Sequence, residues 1–180
     1  MRVLSINVGR PRDIRAGREI VTTSIFKSPV AGSVHAGKLN LEGDEQSDLT
    51  VHGGIRKAVY VYPSEHYAFW RAELPDVELP WGAFGENLTT EGILEETTSI
   101  GDTLRIGSAE FVVTQPRQPC YKLAIRLQRP DILKRFVQSG RSGFYLSVTR
   151  EGEIAAGDPI ELIPDPASTT TVADAAAEIS

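Results

Sequence analysis

Apolar and polar side chains alternate from Arg2 to Val8, the two-residue period of a half-buried strand, with Val3 out of phase. Ile20 to Phe26 is rich in Ile, Val and Thr and is stopped by Pro29, so it reads as a second strand. Ala58 to Tyr62 is a short unbroken apolar run of β-branched and aromatic residues, the pattern of a buried strand. Thr103 to Ile106 and Glu110 to Gln115 flank Gly107-Ser108 and predict a hairpin. Phe144 to Thr149 and Pro159 to Ile163 supply two further strands. Ile100-Gly101-Asp102-Thr103-Leu104-Arg105-Ile106 is echoed by Ala156-Gly157-Asp158-Pro159-Ile160-Glu161-Leu162, each reading as a Gly-Asp turn that feeds a strand.

Two segments carry helical spacing instead. Ser64 caps a helix whose Tyr67, Trp70 and Leu74 share a face before Pro75 ends it. Pro130-Asp131 starts another, with Ile132, Leu133, Phe136 and Val137 on one face and Gly140 at its exit. These helices do not alternate regularly with strands, which excludes a doubly wound α/β sheet and leaves a mainly β fold. The domain is expected over residues 1–163, with 164–180 as a linker and tail in which Val172 to Ile179 begins a helix.

With 180 residues the chain suits one domain, and 41% hydrophobic with 24% charged residues excludes a disordered or collagen-like chain. No apolar run approaches the length of a membrane span, and the first ten residues lack the apolar core of a signal peptide. A single cysteine forms no intramolecular disulfide, so a cytoplasmic protein without a membrane partner is expected. The net charge of −5 argues against general nucleic-acid binding. The charge is segregated, however. Eight acidic side chains and no Lys or Arg lie between Ala72 and Leu104, whereas Gln115 to Arg135 carries Arg117, Lys122, Arg126, Arg129, Lys134 and Arg135 against Asp131 alone. Such local basic stretches either face water or hold a small anion.

Nucleotide-binding loops, HExxH, CxxC and GxSxG motifs are absent, and His35, His52 and His66 have no zinc spacing. Three dense stretches remain. Cys120 follows a predicted strand in Gln115-Pro116-Arg117-Gln118-Pro119-Cys120-Tyr121-Lys122-Leu123. A lone cysteine is either a small buried hydrophobe or, with Arg117 and Lys122 nearby, a thiolate suited to soft-metal or sulfur chemistry. In the run from Leu41 to Tyr60, Gly53 and Gly54 either shape a turn or present consecutive N–H groups to an anion, with Arg56 and Lys57 adding charge and His52 beside them. In Trp81 to Thr89, Glu86 and Asn87 either belong to a turn around an aromatic anchor or meet the polar edges of a heterocycle.

Taken together these blocks carry a resemblance. Gly43-Asp44, Gln46, Asp48, His52-Gly53-Gly54 and Lys57-Ala58-Val59-Tyr60 resemble the first signature of the MOSC family, named for the C-terminal domain of molybdenum cofactor sulfurase. Gly82-Ala83-Phe84-Gly85-Glu86-Asn87-Leu88 with Ile100-Gly101-Asp102 is similar to its central signature, and Gln115 to Leu123 to the segment holding its functional cysteine. Arg141-Ser142-Gly143-Phe144-Tyr145 and Gly152 to Asp158 follow in family order, so the likeness extends over about residues 1–163. It points most closely to stand-alone bacterial members linked to resistance to N-hydroxylated base analogues, which often carry a further helical domain that this chain lacks or only begins.

The resemblance implies a MOSC-type β-barrel with a few short helices, holding the molybdenum cofactor, molybdopterin, in a cleft. It implies that Cys120 is both the catalytic residue and the protein ligand to molybdenum. Asp48, His52, Gly53, Gly54, Arg56, Lys57, Glu86, Asn87, Arg117 and Lys122 would bind the cofactor. The activity implied is reduction of a small N-hydroxylated substrate with electrons from a separate donor protein, as an oxidoreductase. Two alternatives stand beside it: a sulfur carrier using a Cys120 persulfide, and a non-catalytic module that binds and delivers the cofactor. Pyridoxal phosphate on Lys57 or Lys122 is not expected, because in fused sulfurases that chemistry belongs to a separate domain. Oligomeric state is left open.

Overall fold

The computed structural model describes residues 1–45 and 53–179. Its main sheet has eight strands: β1 (Arg2–Val8), β4 (Ser28–Pro29), β6 (Val59–Pro63), β7 (Leu88–Glu91), β8 (Thr103–Ile106), β9 (Ala109–Pro116), β10 (Phe144–Arg150) and β12 (Ile160–Ile163), in the order β12-β8-β9-β10-β6-β7-β1-β4. β2 (Arg12–Ala16) pairs with β3 (Glu19–Thr23), and β5 (Ser33–Ala36) with β11 (Gly152–Ala155). All pairings are antiparallel except β6 with β7, which are joined through helix α1 (Glu65–Glu73). The other helices are α2 (Tyr121–Leu127), α3 (Ile132–Ser139) and α4 (Val172–Ala177). Among the described residues no helix is long and apolar enough to cross a membrane.

The mainly β expectation holds, but the closed barrel does not. Among the described residues the ladder ends at β12 and β4 rather than returning on itself. The two flanks approach at one place: Arg2 and Pro159 form an isolated bridge, and the Ile160 N–H donates to the Met1 carbonyl at 3.0 Å. Closure stops there because β1 changes partner along its length. Residues Arg2 to Ile6 pair with β7, while Asn7 and Val8 pair with β4, which occupies the edge that a closing strand would need. A register shift between Val3 and Ser5 accounts for the break in alternation at Val3, since a bulge turns consecutive side chains to the same face.

β6 is buried along all five residues and separates two cores. Val59 and Val61 join the aliphatic core of the sheet, while Tyr60 and Tyr62 join an aromatic core with Tyr67, Trp70, Phe84 and Phe136. The period-2 pleat thus sorts Val to one side and Tyr to the other, which is why the strand reads as unbroken apolar sequence. Trp70 stacks on Phe136 with ring centroids 5.8 Å apart and donates from its indole N–H to the Tyr62 hydroxyl at 2.7 Å.

The sequence echo has a structural counterpart. Gly101 and Gly157 have φ of +98° and +96°, and the following aspartates accept from backbone N–H groups three residues earlier, Ser99 at 2.7 Å and Ala155 at 2.7 Å. The strands they feed, β8 and β12, lie side by side. The expected strand Ile20–Phe26 ends earlier, at Thr23, and Ser24, Ile25 and Lys27 beyond it line a cavity. The C-terminal helix is also better anchored than its short length suggests. Val172 is fully buried in the aliphatic core, and Thr171 with Asp174 forms a capping box.

Gly143 and Gly140 give a paired expectation. Both have positive φ, but a Cβ on Gly143 would lie 2.4 Å from the Val61 carbonyl oxygen, whereas on Gly140 it would meet nothing within 4 Å. Gly140→Ala should therefore cost about 1 kcal/mol from backbone strain alone, and Gly143→Ala about 3 kcal/mol or more, read as the difference in urea midpoints.

Candidate functional site

The segments that sequence reading singled out meet around a cavity of about 100 Å³. Gly53, Lys57, Asn87, Arg117, Cys120 and Lys122 line it, as do Tyr60, Tyr145 and the Thr23–Ile25 stretch. Asp48 and His52 lie outside the described residues. Gly53 and Gly54 both have positive φ, +101° and +83°, the left-handed backbone that favours glycine.

Cys120 stands at the boundary between the Pro116–Pro119 loop and α2, in extended backbone just before the first helical residue. Its carbonyl accepts the Leu123 N–H at 2.9 Å and so starts the helix, and the residue, half-buried, lines the cavity. Lys122, two residues on, is buried and lines the same cavity.

Arg117 is only 6% exposed. Its backbone N–H donates to the Gly143 carbonyl at 3.2 Å, which ties the loop to the start of β10. The guanidinium lies 5.0 Å from the Tyr60 ring centroid and 5.3 Å from that of Phe136, and its Nη1 is buried with no hydrogen-bond partner. Burial opposes the charge, but Tyr60, Tyr145 and Cys120 outweigh it and hold the pKa above the ordinary arginine value. Burial likewise raises the phenols of Tyr60 and Tyr145, with Arg117 pulling the other way, so both remain hydroxyl donors through the neutral range.

The residue that sequence reading missed is Lys27. Its side chain is 9% exposed and its ammonium forms an ion pair with the Asp44 carboxylate, itself 1% exposed. Burial lowers the Lys27 pKa, and the Asp44 charge and hydrogen bond oppose that shift. Asp44 is in turn fully engaged. One oxygen takes the Gly9 N–H at 2.8 Å beside Lys27, and the other takes the Asn87 side-chain amide at 2.9 Å. Asn87 then accepts the Tyr60 N–H at 3.0 Å through its own carbonyl oxygen. Nothing near Lys27 in the sequence marks it; the only signal was the acidic residue of the Gly43-Asp44 pair, which asks for a buried cation.

Two other residues take structural places. Glu86 is fully buried and accepts from Gly82 N–H at 2.7 Å, Phe84 N–H at 3.1 Å, the Thr89 hydroxyl at 2.9 Å and the Tyr67 hydroxyl. Burial raises its pKa and these hydrogen bonds pull it back, so the carboxylate braces the Trp81–Thr89 turn and does not line the cavity. Arg56 is exposed and donates to the Thr114 carbonyl at 3.3 Å, away from the cavity lining. What the cavity gathers is therefore the half-buried Cys120 with Lys27, Lys57, Arg117 and Lys122, against Asp44 and Glu45 among the described lining residues. Such a site binds anions and presents one soft ligand. Among the described residues no group of three His, Cys, Asp or Glu side chains is placed to hold a metal ion by itself.

Comparison with known proteins bears on the family and the fold. The family model described as MOSC domain matches residues 48–161. Uncharacterized protein YflK of Bacillus subtilis is 44% identical over 161 residues, covering 89% of this chain and 72% of YflK. Protein YiiM of Escherichia coli is 42% identical over 166 residues, covering 91% of this chain and 74% of YiiM. A Gibberella moniliformis protein named Reductase is 37% identical over 171 residues, which is 91% of this chain and 29% of the fungal protein. The crystal structure of YiiM from Geobacillus stearothermophilus superposes with a TM-score of 0.80 at 38% identity, covering 97% of this chain and 81% of that one. That of YiiM from Escherichia coli gives 0.74 at 33% identity, covering 98% and 76%. Matched by the family model over residues 48–161 and by YflK and YiiM over most of its length, the chain belongs to the MOSC domain family.

Proposed function

We propose that this protein binds a molybdenum–pterin cofactor in the Cys120 cavity and reduces N-hydroxylated small molecules with electrons delivered by a separate protein. The observation that carries this reading is the Arg117 guanidinium, buried beside a thiol with one nitrogen unpartnered. A buried donor without an acceptor costs about 1–3 kcal/mol, and that cost is relieved when an anionic group enters the cavity. The donor set fits a pterin-held metal: one thiolate from the protein, with cations and N–H groups for the anionic parts of the cofactor. The reductase name of the fungal relative supports a redox role.

When bound, the cofactor supplies the two-electron redox chemistry. The chain itself binds and orients. Cys120 offers the sulfur ligand, and the Arg117 charge is electrostatically coupled to it. Lys27, Lys57, Arg117 and Lys122 hold the anionic groups, and the Asp44–Asn87–Gly9 network fixes Lys27 in its direction. Tyr60 and Tyr145 close the wall with neutral phenols, and the Tyr60 hydroxyl donates to the Ser142 carbonyl at 2.8 Å. Reduction of a hydroxylamine group consumes two electrons and two protons, breaks the N–O bond, and leaves an amine and water.

The deciding experiment is the molybdenum content of wild type and Cys120→Ala purified from a host that makes the cofactor. Near-stoichiometric metal in the wild type and its loss in the variant are expected. Metal retained by the variant would overturn the ligand assignment. Absence of metal from the wild type, with a dithiothreitol-labile sulfur on Cys120 after incubation with a cysteine desulfurase, would replace this reading by the sulfur carrier.

The Lys27–Asp44 pair generates a further expectation. Asp44→Asn leaves a buried lysine without its counter-charge and should cost about 3 kcal/mol or more, whereas the cost should shrink in the Lys27→Met background, measured as a double-mutant cycle. The folded-state pKa of Lys27 lies below its ordinary 10.5, so just below 10.5 the unfolded chain holds more protons and this group adds stability as pH rises. Denaturation midpoints in that alkaline window should rise less with pH in Lys27→Met than in the wild type.

A further inference from the structure

A cavity of about 100 Å³ admits no protein, so a protein that delivers electrons to a group seated beside Cys120 must work from the surface around the opening. Solvent reaches the lining at the exposed Glu45 and the half-buried Cys120. Around that opening two large apolar side chains face water. Ile55 lies between the lining residues Gly53 and Lys57 and is 65% exposed, and Tyr121 lies between the lining residues Cys120 and Lys122 and is 54% exposed. Two of the seven large hydrophobic side chains exposed among the described residues therefore stand beside this one small opening, where burying them is left to something outside the chain.

The same surface is cationic. Phe26, between the lining residues Ile25 and Lys27, has the Arg12 guanidinium 3.8 Å from its ring centroid and that of Arg126 at 5.1 Å. Neither arginine lines the cavity; both stand outside it, Arg12 exposed on β2 and Arg126 half-buried on α2. Arg56, also exposed, follows Ile55. Among the described residues none of these three forms an ion pair with a carboxylate, whereas Arg2, Arg105, Arg135 and Arg150 elsewhere in the chain are all ion-paired. Glu45, the exposed acid of the lining, sits 3.8 Å from Arg10. Burial depresses the Arg126 pKa and the neighbouring Arg12 charge depresses it further, against Tyr67 and Glu86, as for two like charges held near each other.

We propose that this collar, apolar at Ile55 and Tyr121 and cationic at Arg12, Arg56 and Arg126, is the docking face for an acidic electron-carrier protein. The partner's task rests on the functional reading above; its charge and its place of contact rest on the surface alone. Exposed aromatic and aliphatic side chains with arginines among them are the make-up of a protein interface, and a cationic setting selects an acidic partner. The net charge of −5 sharpens that selection, because an acidic carrier is repelled by the molecule as a whole and attracted where the collar reverses the sign. A polynucleotide fits less well, since its charge extends beyond so small a patch onto the acidic remainder. The carrier gives up two electrons for each N–OH group reduced, with two protons drawn from solvent, and no bond forms between the two proteins.

The test measures, by calorimetry at low salt, the binding of an oxidised flavodoxin, an acidic FMN protein, to the full chain from a host that does not make the cofactor. Binding that weakens about tenfold on going to physiological salt is expected. Ile55→Asp, Tyr121→Asp and Arg12→Glu should each lower the affinity about tenfold, whereas Ile179→Asp, an exposed position outside the cavity lining, should leave it unchanged. The three collar variants lie on separate segments, so one that fails to fold leaves the others to decide. No binding, collar variants that bind as the wild type does, or an equal loss in Ile179→Asp would overturn the docking face. A single-stranded oligonucleotide bound more tightly than the flavodoxin, with the same dependence on the variants, would assign the face to nucleic acid and overturn the proposal as well. The measurement needs no cofactor, so its failure is distinct from that of the functional reading. Molybdenum bound in a chain that takes no carrier at the collar would keep that reading and lose the face; a chain that never holds molybdenum yet binds the carrier there would keep the face and lose the reading.

Discussion

The Asp44 carboxylate is the contact on which the rest of the site depends. From one buried acid, hydrogen bonds run to the backbone just after β1, to the ammonium of Lys27 just before β4, and to the Asn87 amide at the entry to β7. Asn87 passes the constraint to the backbone of β6. Three chain segments distant in sequence are thereby held to one carboxyl group, and the cavity is the space they leave between them. Burying this charge is tolerable only because each oxygen is satisfied and a cation sits against it.

The same economy of position is seen in β6. With Val59 and Val61 in one core and Tyr60 and Tyr62 in the other, the strand transmits the packing of the aromatic helices directly to the sheet. Arg117 rests against that boundary, its guanidinium near the rings of Tyr60 and Phe136, and its loop is pinned by Gly143. The placement of the unpartnered Arg117 Nη1 is thus a result of aromatic packing rather than of local loop geometry.

Much of this was legible in the residues themselves. The hairpin around Gly107-Ser108, the paired Gly-Asp turns, the helices after Ser64 and Pro130, and the convergence of the Cys120, Gly53 and Asn87 stretches all follow from local pattern or motif. What escaped did so for physical reasons. Lys27 was invisible because its partner lies seventeen residues away and only tertiary folding brings the pair together. Glu86 read as a ligand-facing group, yet its oxygens are consumed by the turn that contains it, a competition that residue type alone does not reveal. The open sheet was masked by a bulge and by a change of partner along β1, neither of which alters composition.

The β2–β3 hairpin stands apart from the main sheet, and its side chains are largely solvated, with Ile20 70% exposed. Its inner end nonetheless delivers Thr23, paired with Arg12 across the hairpin, to the cavity. Such an appendage separates two evolutionary pressures that usually conflict. The cores and the Asp44 hub tolerate little change, while a ribbon outside them can exchange residues, lengthen or shorten at small thermodynamic expense. Divergence in what the cavity admits can therefore accumulate on this ribbon without renegotiating the fold beneath it.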